Sequence, residues 1–152
     1  MRLSLPLFFF LSFVGITAPA SAVEPVNETF FGSLAIHGYD PVAYFIEKKP
    51  VKGEKSFSYE WEGAKWLFAS NENLKAFEKA PEKYAPQFGG YCAWAVAHGS
   101  TADIDPEVWS VVDGKLYLNY SKDIQKKWNA DRAALIKKGN EEWPKIVDGG
   151  DQ

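Results

Sequence analysis

The sequence predicts an α+β fold: a small domain of antiparallel β-hairpins with short helices and a longer C-terminal helix. Three observations carry this. Phe57, Tyr59 and Trp61 alternate with polar residues, and Ala64, Trp66 and Phe68 repeat the pattern after a Glu62-Gly63 turn; alternation at period two marks a strand with one buried face. Val108 to Val112 and Lys115 to Tyr120 flank Asp113-Gly114, a dipeptide suited to a two-residue type I′ hairpin turn. Ser121 then opens a helical pattern reaching about Lys138, with Ile124, Trp128 and Leu135 as its buried stripe. Asp123 stands in its first turn, Lys137 and Lys138 in its last, and Gly139 reads as its stop; these charges match the helix dipole. Hairpins interleaved with helices favour antiparallel sheet.

The chain opens Met1-Arg2, continues in an apolar run from Leu3 to Ile16 and reaches Ala20-Ser21-Ala22. A basic start, a short apolar core and small residues at a cut site describe a secretory signal peptide over residues 1–22. The apolar run is short for a membrane span, which needs about 20 apolar residues. The expected address is therefore outside the cytoplasm, periplasmic or secreted, with no membrane contact after cleavage.

Val23 to Gly32 reads as a loose lead-in. Leu34-Ala35-Ile36 and Val42-Ala43-Tyr44-Phe45 read as short strands around a turn at residues 37–41, and Lys48 to Lys55 as a charged loop. Ser70 can cap a short helix carrying Leu74 and Phe77 on one side, which Pro81 ends or redirects. Residues 84–90 read as a loop, and Tyr91 to His98 as a compact helix closed by Gly99. Asp103-Ile104-Asp105-Pro106 reads as a turn. The residues after Val147 read as frayed.

The formal net charge is −3, and no basic stripe interrupts the acidic balance. That argues against a nucleic-acid partner. Six Trp, seven Tyr and eleven Phe supply bulk for a dense core. Cys92 is the single cysteine. It cannot form a disulfide within the chain, so it is a buried apolar residue, a reactive thiol, a metal ligand or half of an intermolecular bridge.

Four ordered segments together resemble a known family. They are Gly38-Tyr39-Asp40-Pro41-Val42-Ala43-Tyr44-Phe45, then Phe68-Ala69-Ser70 through Phe77 with Pro81-Glu82-Lys83-Tyr84, then Gly89-Gly90-Tyr91-Cys92-Ala93, and finally Asp113 through Tyr120. The chain resembles exported YHS-domain proteins over residues 33–146. The resemblance implies handling of copper and related soft metals. Metal-linked members carry cysteines where this chain has Ala43 or its neighbours, Ala69 and Asn73, and the Tyr-His-Ser tripeptide is absent. The resemblance thus implies the scaffold without those ligands. Exported relatives that carry selenocysteine imply thiol chemistry at Cys92.

Cys92, His98 and His37 are the candidate ligands for copper or zinc, with Asp40 as a further oxygen donor; thiolate and imidazole suit both metals. Spacing is unhelpful to the Cys92–His98 pair. Six residues of helix rise about 9 Å and turn about 240°, and six of strand span roughly 20 Å. Only a chain folded back on itself would bring them onto one metal.

A second reading makes Cys92 a redox or sensor thiol, the one candidate for catalytic chemistry. After Gly89-Gly90 it falls in the first turn of a short helix, where free N–H groups favour a thiolate. A Cys–His protease dyad lacks a distant downstream histidine. Asp103, Asp105 and Glu107 form an acidic patch that reads as turn chemistry. A third reading is a non-catalytic interaction module with an unknown protein partner. More readings are non-enzymatic than enzymatic.

Overall fold

Tyr59 stands opposite Trp66, and Trp61 opposite Ala64, across the first hairpin, in the arrangement that the alternating pattern predicts. A computed structural model describes residues 23–149; the signal peptide read over residues 1–22 lies outside the described residues. The hairpin strands are β1 (Glu54–Trp61) and β2 (Ala64–Phe68). On β1, Phe57, Tyr59 and Trp61 are half-buried between exposed neighbours, while Ala64, Trp66, Leu67 and Phe68 are buried on β2. The second hairpin joins β3 (Trp109–Val112) to β4 (Lys115–Leu118). Asp113 and Gly114 both take positive φ, 51° and 73°, as a type I′ turn requires. Each hairpin is its own two-stranded antiparallel sheet.

Residues 42–45 correct the strand reading. Ala43–Ile46 is a helical turn, α1. Asp40 Oδ1 accepts hydrogen bonds from the Val42 and Ala43 N–H groups at 2.8 and 3.3 Å. A capping carboxylate at the head of a turn outweighs the β-propensity of a short apolar run. Of the first apolar triplet, Leu34 and Ala35 form only isolated bridges, to Lys65 and Glu28, and Ile36–Gly38 is a 3-10 turn.

Ser70 caps α2 (Asn71–Lys79), its side chain accepting from the Asn73 N–H at 3.1 Å. Pro81 sits in the first turn of α3 (Pro81–Tyr84). A 3-10 turn over Gln87–Gly90 precedes α4 (Ala93–Ala97). Gly99, at φ +76°, closes α4 by donating to the Val96 carbonyl.

The helix read from Ser121 to about Lys138 is two helices, α5 (Lys122–Ala130) and α6 (Arg132–Val147), the second being the longer C-terminal helix of the α+β fold. Asp131 breaks them at φ −140°, ψ 45°. The break lets Trp128 seat on Tyr117, with ring centroids 5.3 Å apart, while α6 turns to run along α4. Gly139 is no stop. It lies buried inside α6, where a Cβ would meet the Phe88 ring at 2.6 Å. Trp143 and Pro144 also belong to α6.

The lead-in is docked rather than loose. Val26 and Asn27 are buried. The Asn27 N–H donates to the Gly89 carbonyl at 2.8 Å, and a Cβ on Gly89 would collide with the Pro25 carbonyl oxygen.

Two clusters form the core. One gathers Trp66, Phe68 and Phe77 with Ile36, Tyr44, Leu116 and Leu118. The other joins Phe88, Val96, Tyr117, Trp128 and Leu135. Helix α4 serves both: Cys92 and Ala95 face the first, Ala93, Val96 and Ala97 the second. Full burial of each large apolar side chain contributes about 1.5–3 kcal/mol. Among the described residues no helix is long and apolar enough to cross a membrane.

Candidate functional site

Cys92 occupies the N-cap position of α4, one residue before the helical turn in which the sequence places it. Its side chain is buried. Sγ donates to Asn119 Oδ1 at 3.5 Å, and the Trp94 N–H donates to the same oxygen at 3.1 Å. Two donors on one atom fix which end of the Asn119 amide faces α4. Asn119 Nδ2, also buried, has no hydrogen-bond partner among the described residues. The Cys92 backbone is held as well, its N–H on the Ala102 carbonyl and its carbonyl on the Val96 N–H. A reactive thiol needs access as well as polarity, and the Cys92 sulfur lies inside the first core cluster.

The histidines are committed elsewhere. His37 Nε2 lies 2.8 Å from Asp103 Oδ1. That carboxylate also accepts from Asn27 Nδ2 at 3.0 Å, and its Oδ1 from the Ile104 N–H at 2.8 Å. Partial burial pushes the Asp103 carboxyl up, and the hydrogen bonds from Asn27, Ile104 and His37 outweigh it, so the group titrates below the ordinary carboxylate range. His98 stacks on Trp94 with centroids 4.0 Å apart, and its Nδ1 lies 2.6 Å from the Trp94 carbonyl oxygen. A carbonyl there requires Nδ1 to carry the proton.

Cys92, His98 and His37 therefore each have a different neighbour: Asn119, Trp94 and Asp103. Among the described residues no group of three or more His, Cys, Asp or Glu side chains is placed to hold a metal ion. A closed structural zinc site takes four such ligands. Cys92, His98 and His37 as placed do not make up such a zinc site.

Asp40, named from the sequence only as a spare oxygen, is the hub of a buried network. Besides capping α1, its Oδ2 accepts from the Ala69 N–H at 2.8 Å and from Asn73 Nδ2 at 2.7 Å. Ala43 and Ala69 through their N–H groups and Asn73 through its amide thus all donate to one carboxylate. An Asp-Pro-Val run just ahead of a short helix was the available signal for this cap.

The acidic patch is turn chemistry: Asp105 accepts from the Glu107 N–H at 2.9 Å. Next to it, burial pushes the Tyr44 phenol up, and its hydroxyl donates to the Pro106 carbonyl at 2.9 Å.

Among the described residues a further candidate site is a cavity of about 370 Å³ between the first hairpin, the segment around α3 and the end of α6. Trp61, Trp66, Phe88 and Trp143 line it, together with Glu62 and Glu82. In the sequence the aromatic stripes could line a ligand pocket, but their spacing makes core the default reading.

The family model for the YHS domain matches residues 42–88. The chain is a YHS-domain-containing protein. No curated protein and no solved structure matches it. The YHS match runs from the turn that Asp40 caps to Phe88, so it holds most of the cavity's aromatic wall. Cys92, His98 and His37 all fall outside the YHS match.

Proposed function

We propose that this protein is an exported, non-catalytic binding module whose working surface is the aromatic cavity between the first hairpin and α6. The observation that carries this reading is the cavity itself. Its volume of about 370 Å³ falls within the range of small-molecule sites, which are mostly apolar with a few placed polar groups. The groups otherwise able to do chemistry support the same reading, since Cys92, His37 and Asp40 are each engaged by protein partners. The soft-metal reading draws its support from the YHS match alone.

A thermal-shift panel tests the proposal. It would compare organic cations, organic anions, neutral apolar compounds, Cu(I) and Zn(II) on the wild type and on Trp143→Ala. The expected result is stabilisation of the wild type by at least one organic class, lost in Trp143→Ala, since a ligand that binds only the folded state raises its melting temperature. Stabilisation by a metal that Cys92→Ser abolishes, with every organic class silent, would transfer the function to the metal reading.

A further inference from the structure

Two phenyl rings stand outside the fold. Phe30 and Phe31 are 93% and 84% exposed, at the tip of the turn between Thr29 and Leu34. The turn is pinned rather than loose. The Thr29 N–H donates to the Leu34 carbonyl at 3.0 Å, the Leu34 N–H to Thr29 Oγ1 at 3.2 Å, and the Thr29 hydroxyl to the Phe31 carbonyl at 2.8 Å. Gly32 and Ser33 take positive φ, 85° and 48°, which is uncommon for serine. The two rings meet edge to face with centroids 5.0 Å apart, a favoured aromatic geometry. They form a ready-made apolar wedge. Single exposed apolar side chains are ordinary. An adjacent pair of Phe offers about 300–500 Å² of apolar surface, a patch of the size that is often functional.

The cavity supplies a receptor on the same chain. Trp66 and Phe88 are buried behind it. Among the lining residues that keep surface open to solvent, Trp61, Trp143, Pro144 and Val147 are apolar, with Glu62 and Glu82 as exposed charges. Apolar surface within a polar rim is the anatomy of a protein interface.

Chain length places wedge and receptor side by side. Pro25 and Val26 belong to the cavity lining, and Phe30 follows Val26 by four residues, a reach of at most about 14 Å. Neighbouring halves allow a two-fold arrangement in which each copy seats its wedge in the other's cavity, and such an exchange closes at two copies. Two wedges and their two receiving walls would bury about 1,200–2,000 Å², the area of a stable specific interface. A lipid surface suits the wedge less well. Residues 23–34 hold two Glu and no Lys or Arg, whereas apolar segments that lie on membranes draw on basic residues.

We propose that the protein forms a reciprocal dimer in which Phe30 and Phe31 of each copy enter the cavity of the other. This rests on the cavity's being the working surface, and it names the occupant.

Sedimentation equilibrium of the purified protein between about 1 and 300 µM tests it. The weight-average mass is expected to rise twofold and then level. Phe30→Ser combined with Phe31→Ser should hold the mass at one copy across the range; both side chains are exposed, so urea unfolding should match the wild type. Val147→Glu and Trp143→Ala alter the cavity from two positions on α6 and should have the same effect, with cooperative urea unfolding as the check on their folds.

A wild type that stays monomeric would overturn the inference, as would a dimer indifferent to the Phe30 and Phe31 changes or to both cavity changes. Mass that climbs beyond two copies would overturn it by showing an open chain. Flotation of the monomer with phosphatidylcholine vesicles would assign the wedge to a lipid surface instead. A monomer stabilised by an organic class in the thermal-shift panel would leave the binding-module reading standing. A monomer silent in that panel would bring both down.

Discussion

Asn119 Oδ1 receives two donors from the head of α4, the Cys92 thiol at 3.5 Å and the Trp94 N–H at 3.1 Å. One buried oxygen therefore holds both the head of α4 and the lone thiol in place. Asn119 itself is anchored at the end of the second hairpin through backbone bonds with Val108 and Asp105. The chain thus uses its cysteine as a bolt between two elements of the fold.

Alkylation should reveal this. Cys92 is expected to react slowly with iodoacetamide in native buffer, with a rate that rises in urea alongside global unfolding. Asn119→Ala removes the acceptor of the Trp94 N–H and should cost about 1–3 kcal/mol, the usual penalty for stranding a buried polar group. Cys92→Ser keeps a donor of similar reach and should cost less. Rapid native alkylation would contradict the burial described here.

The Asp40 network predicts a larger effect. Its carboxylate satisfies three backbone N–H groups and the Asn73 amide. Asp40→Ala should cost at least about 3 kcal/mol, because hydrogen bonds to a charged group are strong and all four donors lose their acceptor. Asp40→Asn should recover part of this, since one amide oxygen still accepts while the NH₂ opposes a donor. Equilibrium urea denaturation measures both, and a loss below about 1 kcal/mol for the alanine variant would refute the hub.

Asp103 links stability to acid. Its carboxyl titrates below the ordinary range of about 3.9. A lowered folded value means the charged form is favoured in the fold, so its stabilisation is fully present above the unfolded value. It is lost as pH falls through the folded value. Asn27→Ala removes one of the hydrogen bonds holding the charge. Carboxylate NMR should then show Asp103 titrating closer to 3.9, and urea midpoints below about pH 4 should depend less steeply on acid. An unmoved Asp103 titration would refute the Asn27 contribution.

Gly139 offers the sharpest packing test. Helix propensity favours alanine over glycine by about 1 kcal/mol in a helix interior. The Phe88 ring, 2.6 Å from where the Cβ would stand, opposes it. Phe88 is buried and packed between Tyr117 and Trp143, so the ring has little room to yield. Gly139→Ala should destabilise by about 1–3 kcal/mol. A stabilised variant would show that the contact relaxes freely.

The hairpins were legible because their signals are local. A two-residue turn and an alternating face need no information from elsewhere in the chain. Helix α1 was not, because a short apolar run with Val42, Tyr44 and Phe45 favours a strand and competes with a cap from Asp40. The break at Asp131 was hidden because it serves the packing of Trp128 and of α6 against α4, not any local preference. Gly139 obeyed the rule for a helix stop while serving Phe88.

The same distinction governs the site. Cys92, His37 and His98 stood out as residue types. The partners that decide what they do, Asn119 and Asp103, lie 27 and 66 positions away from Cys92 and His37. The cavity was harder still, since Trp61, Phe88 and Trp143 come from three separate segments that only the tertiary fold brings together.

Pro25 and Val26 line that cavity beside Trp143, Pro144 and Val147, so the two ends of the described chain meet at its wall. Contacts so far apart in sequence are slow to form, because a long loop must close before they do. The cavity is therefore among the last features to come into being as the protein folds. A chain emerging from synthesis is expected to form both hairpins before it has this site. Any molecule that lodges there would recognise only the finished protein, and its occupancy would report that folding is complete.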